Sequence, residues 1–284
     1  MWTLTRSVRL NIPPAQPPTP DTPLPNVGGG KTSSGYSGIG TATGFPAHYQ
    51  FDVQCKGELE HDTSYVKDIK AVDRAVAQAL QAPLTSRAPH TTPFSILADA
   101  ANAINASLGG QVTSVRWWVT PYHSYEMGPR TNGSTSGGTS QATTVLIRQR
   151  FDFSASHRLH NPSMTAQENA TKFGKCNNPA GHGHNYVVEP TVRVTLDDRG
   201  GSGFTHGDLT ALTSAIIIER FDHKHLNVDT PEFKEPGGVL PTVENIARVF
   251  FELLSPHVSK RSTTAELVNL TVWETDRTSS TYPG

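Results

Sequence analysis

Between Gly174 and Tyr186 the chain gathers a thiol, Cys176, two histidines, His182 and His184, and three glycines. The histidines are two apart, and in an extended chain residues i and i+2 project from one face, so both imidazoles reach one point. The glycines leave room there for an ion. The turn Cys176-Asn177-Asn178-Pro179 is able to fold the thiol back toward it. Upstream, Phe151, Phe153, Ala155 and His157 share one face of an expected strand, with Asp152, Ser154 and Ser156 on the other. Taken alone, His157 reads as a hydrogen-bonded core histidine at the end of an apolar face. Beside His182 and His184 it reads as the third imidazole of a zinc site with an open fourth position. Cys176 then has two readings, a fourth ligand closing a structural tetrahedron or a free thiol.

Three further groups carry candidate chemistry. Glu274 extends an apolar strand face made by Val268, Leu270 and Val272, where a carboxylate loses hydration and needs donors. A salt bridge to a lysine or arginine is the plain alternative. Asp222 precedes His223, and a carboxylate beside an imidazole raises its pKa and fixes its orientation, although such pairs are often surface or capping features. Thr242 suits the N-cap of a helix beginning near Val243, with Glu244 in its first turn, where the helix dipole favours negative charge.

The segments Phe153–His157, Cys176–Tyr186, Asp222–Asn227, Pro241–Asn245 and Trp273–Asp276 together resemble the 6-pyruvoyltetrahydropterin synthase family in order and spacing, over the chain from about Val145 onward. The resemblance implies a zinc-dependent lyase that converts 7,8-dihydroneopterin triphosphate to 6-pyruvoyltetrahydropterin with loss of triphosphate. It implies zinc on His157, His182 and His184 only, Cys176 as proton acceptor, and His223 as a second proton carrier supported by Asp222. It implies that Glu274 anchors the guanidine-like edge of the pterin, a geometry suited to two parallel hydrogen bonds, with contacts from Thr242 and Glu244. His225 matches less firmly and reads as surface. 6-Carboxytetrahydropterin synthase, on the same substrate, is the near alternative, and a pterin-binding protein with a closed structural zinc is a third. The spacing from Cys176 to His182 resembles the pyruvoyl-forming group. The resemblance further implies a tunnelling fold that closes into barrels on oligomerisation.

The elements that must position these groups follow from the patterning. The chain has 284 residues, a formal net charge of -1 and 35% hydrophobic residues, enough for two modest cores. No basic stripe suggests nucleic acid. No apolar run suggests a membrane span or secretory signal, and two cysteines make no disulfide framework, so a cytoplasmic protein is expected. Thr3–Ile12 and Tyr49–Cys55 alternate as strands, with Cys55 a small core residue. Val66–Leu80 and Ile96–Leu108 recur at helical spacing, and Val115, Trp117 and Val119 begin a final strand. Pro13–Gly44 reads as a long loop. Its Gly28-Gly29-Gly30-Lys31-Thr32 lacks the first glycine and the following helix of a phosphate loop. Residues 128–144 read as a flexible linker.

The second half then repeats the first. Val145–His157 is a strand. Tyr186, Val188, Val192 and Val194 alternate as Tyr49, Phe51, Cys55 and Gly57 do. Asp208, Leu209, Leu212 and Ile216 match Asp68, Ile69, Val72 and Val76, while Ile246 and Phe250 match Leu97 and Ala101. The expected class is α+β: two tandem units, 1–127 and 145–284, each a four-stranded antiparallel sheet with two helices on one face. In this alignment His182 and His184 fall opposite Phe45 and Ala47, Glu274 opposite Val119, and Glu244 near Ser95. The first unit therefore reads as a scaffold without a reaction centre, with a binding site of changed specificity as the alternative. A homo-oligomer is expected, with a trimer following if Asp222 and His223 serve a neighbouring copy's Cys176.

Overall fold

The computed structural model of the chain describes residues 1–12, 47–86, 92–130, 142–197, 200–234 and 236–284. The loop expected over Pro13–Gly44, Phe45, and most of the expected linker lie outside the described residues. The chain divides into two compact units, Met1–Val145 with Leu196–Gly201, and Leu146–Thr195 with Ser202–Gly284. Each is α+β, a mainly antiparallel sheet carrying helices, as the patterning implies.

In the first unit, β1 (Trp2–Ile12), β2 (Ala47–Gly57), β3 (Val112–Thr120) and β4 (His123–Met127) lie in that order in the sheet. Their pairings are antiparallel, with Val8 opposite Phe51 and Phe51 opposite Trp117. Alternation decides the faces: Val8, Leu10, Phe51, Val53, Cys55, Val115 and Trp117 are buried. The helices α1 (Ile69–Ser86) and α2 (Pro93–Ser107) follow β2. Thr92 caps α2 in a reciprocal box with Ser95, and Pro93 supplies the fixed φ favoured in a first turn. Arg6, on the buried face of β1, makes two 2.8 Å hydrogen bonds to the buried Asp73 carboxylate of α1. A carboxylate taken from water is tolerated there because both of its oxygens are paired. The single final strand expected from Val115 is a hairpin, β3–β4.

The second unit is built on β7 (His182–Thr195), which pairs antiparallel with β6 (Phe151–His157) and with β9 (Ala265–Thr275). The strand β5 (Thr144–Gln149) also neighbours β7, and β10 (Thr278–Tyr282) pairs with β9. The one strand expected over Val145–His157 is therefore two, separated at Arg150. Between β6 and β7 the chain forms α3 (Ala166–Phe173) and a 3-10 turn, Gly174–Asn177, where a loop was expected. Next come α4 (His206–Thr213), a π-turn over Ser214–Ile218, the short α5 (Glu219–Phe221), β8 (Lys224–His225) and α6 (Leu226–Asp229). The long α7 (Val243–Arg261) leads into β9. Two-residue β8 pairs parallel with β6, Ala155 opposite Lys224 and Ser156 opposite His225.

The core of this unit is aromatic. Phe153 stacks on Tyr186 at 4.9 Å and meets Phe250 of α7 at 5.6 Å, and Phe221 closes on Phe250 at 4.6 Å. A bulge in β9 opposite Thr191 and Val192 makes Val268 the extra residue. Leu267 is therefore buried in place of the expected Val268, while Leu270, Val272 and Glu274 keep the inward face. No helix among the described residues is long and apolar enough to cross a membrane.

Candidate functional site

The β6–β7 register makes the cluster. His157 lies directly opposite His182, Ala155 opposite His184 and Phe153 opposite Tyr186. Cross-strand neighbours on one face touch, so the three imidazoles converge, with ring centroids 4.6 to 5.2 Å apart. One ring nitrogen from each of His157, His182 and His184 lies within 4.8 Å of the others. His157 is fully buried, and its Nδ1 lies 2.7 Å from the carbonyl oxygen of Pro241, just ahead of α7. A carbonyl only accepts, so Nδ1 carries the hydrogen and Nε2 presents its lone pair. That Nε2 lies 3.2 Å from Nε2 of His182. Nitrogens about 2.0 Å from a tetrahedral zinc stand roughly 3.3 Å apart, so the separation suits one ion. Nε2 of His184 is buried without a hydrogen-bond partner.

Electrostatics point the same way. Burial, and then the neighbouring His182, His184 and His225, push His157 down to about 4 against the 2.7 Å bond to Pro241, which raises it. Burial also lowers His184, opposed by the Glu274 carboxylate. Neutral imidazoles are the form that binds a metal. Folding thus lowers the proton affinity of His157, so the unfolded chain holds the extra proton between pH 6.5 and about 4. The contribution of this group to the stability of metal-free protein is complete above pH 6.5 and is lost as pH falls through that window, by about 3 kcal/mol. Urea unfolding of wild type and His157→Asn at pH 7 and pH 4.5 checks this. The wild type loses more, and equal losses refute it.

Glu274 stands at the rim of the cluster. Its Oε1 is 3.5 Å from Nε2 of His157 and 3.6 Å from Nε2 of His184. Among the described residues its partners are imidazoles, not the lysine or arginine of a plain salt bridge. With Val187 opposite Trp273 and Val188 opposite Val272, the register carries Glu274 toward the row of Tyr186. Tyr186 is fully buried, and burial first, then the charges of Glu274 and Cys176, raise its pKa and keep the phenol protonated.

Cys176 sits half-buried in the 3-10 turn and is not among the convergent ligand atoms. The turn is strapped down. Leu159 N–H donates to the Cys176 carbonyl at 2.8 Å, and the Arg158 guanidinium donates to Asn177 O at 3.1 Å and Asn177 Oδ1 at 3.2 Å. Asn227 holds both the N–H and the carbonyl of Arg158. Gly181 closes the loop with φ +73°, and a Cβ there would stand 2.7 Å from His225 Nε2 and 3.1 Å from His157 O. Only glycine fits that position without displacing the cluster.

Asp222 and His223 form their own pair. His223 Nδ1 is 2.9 Å from Asp222 Oδ2, while Asp222 Oδ1 accepts from Ser154 N–H at 2.8 Å. The Ser154 hydrogen bond is the main cause that lowers the Asp222 carboxyl. His223 is 83% exposed in its side chain and takes φ +56°, a conformation that L-residues adopt at a cost and that aims the ring outward. It lines an open cleft with His184, Asn185, Ser156 and Lys224. Thr242 caps α7, accepting from Asn245 N–H at 3.4 Å, and Glu244 is exposed in the first turn.

The surface reading of His225 is corrected. Its ring is half-buried against the glycine turn, and Nδ1 is buried and unpartnered. No local alternation announces it, because β8 spans only Lys224–His225.

A family model described as 6-pyruvoyl tetrahydropterin synthase matches residues 146–284. The 6-pyruvoyl tetrahydrobiopterin synthase of Homo sapiens is 37% identical over 151 residues, 53% of this chain and 99% of that protein. That of Drosophila melanogaster is 36% identical over 145 residues, 51% of this chain and 83% of its own. The solved structure of Caenorhabditis elegans 6-pyruvoyl tetrahydropterin synthase shares 33% identity and covers 51% of this chain and 99% of that one, with a TM-score of 0.46.

Proposed function

Because the chain belongs to the 6-pyruvoyl tetrahydropterin synthase family, we propose that its second unit is a lyase converting 7,8-dihydroneopterin triphosphate to 6-pyruvoyltetrahydropterin with elimination of triphosphate. The observation that carries this reading is the convergence of three imidazoles with an inward carboxylate, Glu274, on one face of one sheet.

His157, His182 and His184 would hold zinc, which when bound polarises substrate hydroxyl oxygens and acidifies the neighbouring C–H. Glu274 accepts two hydrogen bonds from the ring and fixes the face that the heterocycle presents. Cys176 Sγ takes the carbon-bound proton, on a turn whose main chain is held by Leu159 and Arg158. Nε2 of His223 carries the second proton. Its Nδ1 is engaged by Asp222, which fixes the tautomer and the orientation of the ring. Thr242 and Glu244 lie beside the ring at the start of α7. The outward aim of His223 supports its acting on the site of a second copy, so the working form is a homo-oligomer, proposed as a trimer.

The first unit, residues 1–127, is proposed to be a non-catalytic copy joined through residues 128–144. Supporting this, the sequence alignment of the two halves sets Ala47 and Val119 against His184 and Glu274. In the first unit Trp117 packs on Tyr49 at 6.0 Å and Phe51 at 5.6 Å. The test is to incubate the zinc-loaded full chain with the substrate and identify products by mass spectrometry. The pyruvoyl product with free triphosphate is expected. A carboxy product moves the assignment to 6-carboxytetrahydropterin synthase, and no product overturns it.

A further inference from the structure

The geometry points to Tyr186 as a further ligand-binding residue, its hydroxyl donating a hydrogen bond to the pterin that Glu274 anchors. The inference rests on the proposed function of the same site, and its own ground is an anomaly in the core. The Tyr186 ring is fully buried, stacked on Phe153 at 11° and 4.9 Å, with edge contacts to His184 at 5.5 Å and His157 at 6.2 Å. Its hydroxyl is buried and has no hydrogen-bond partner. A phenol placed so is a net cost to the ligand-free fold, because the O–H has given up water for nothing. Phenylalanine would fill the same space without that cost.

The place of the phenol in the sheet gives the reason. Tyr186 follows His182 and His184 on the inward row of β7, its ring meets the edges of His184 and His157, and the β7–β9 register brings Glu274 across from it. The phenol therefore stands beside the histidine trio and the carboxylate assigned to the ring. A ligand atom with a lone pair placed there would satisfy its O–H.

The test is Tyr186→Phe in the full, zinc-loaded chain, with oxidised, unphosphorylated neopterin as a binding probe followed by fluorescence. Expected are unchanged zinc content, a melting temperature equal to or above that of the wild type, neopterin binding about tenfold weaker, and kcat reduced about tenfold or more. A purely structural hydroxyl would instead lower the melting temperature and leave the neopterin Kd unchanged, and that result overturns the inference. A wild type that binds neopterin but forms no product overturns the reaction while the Kd comparison still decides Tyr186. A wild type that binds no pterin overturns both.

Discussion

His157→Ala yields a protein that retains less than a tenth of its zinc and forms no measurable product. Residues that merely orient a ligand change metal affinity by about 10- to 100-fold when lost, and His157 is itself a proposed ligand, so the loss exceeds about 100-fold. The substitution acts twice. It removes Nε2 from a trio whose nitrogens already converge, and it leaves the carbonyl of Pro241 without its 2.7 Å donor in the interior. An orphaned acceptor and a cavity at a fully buried position together cost about 2–4 kcal/mol. Elemental analysis after gel filtration measures the metal. Thermal melts with added zinc measure linkage, since an ion that binds only the folded chain raises the melting temperature in proportion to the logarithm of its concentration. The wild type shifts and the variant does not. A variant with full zinc and full turnover removes the metal centre from the account.

Cys176→Ser produces the opposite combination, a protein that keeps its zinc and loses its chemistry. A positioned proton acceptor contributes about 10²–10⁴-fold, and an alcohol is far too weak an acid to present an oxyanion near neutral pH. The fold is indifferent to the exchange. The turn is held through the main chain of Cys176 and through Asn177, neither of which the substitution touches. Turnover therefore falls by that factor while zinc content and melting temperature stay at the wild-type values. Loss of zinc together with turnover would instead make the thiol a fourth ligand, and the centre would be a closed structural one.

Much of this arrangement is legible in the amino-acid sequence because it depends on period-two alternation. The strict alternation from His182 to Val188 and from Phe151 to His157 is enough to put three histidines on one face, and the register supplies the facing pairs. What stays hidden lacks an apolar period. α3 buries only Asn169, so no hydrophobic stripe announces it, although Thr165 and Glu168 form a capping box that sequence could have exposed. The strand β10 is Thr-Ser-Ser-Thr-Tyr, polar and mostly exposed, and is held by its pairing with β9 and by Tyr282 meeting Phe251 of α7 at 5.5 Å. The bulge at Val268 reverses the expected faces upstream of Leu270, because one extra residue inverts parity without leaving a mark in composition. His225 escapes for a different reason. Its neighbours are brought to it by a two-residue parallel pairing that no local pattern encodes.

The length and uniformity of β7 carry a consequence for how this chemistry tolerates change. One uninterrupted strand contributes His182, His184 and Tyr186 and, farther along, the buried Val188, Val192 and Val194. Its inward row is set by counting from a single origin. Exchanging one side chain removes one contributor. With the valines kept inward, deleting or inserting one residue near Val187 turns His182, His184 and Tyr186 outward while leaving every letter of the motif intact. Lineages can drift in composition along this segment far more freely than in its length, and a faithful histidine pattern at an altered distance from the valines would mark a copy that has already fallen silent.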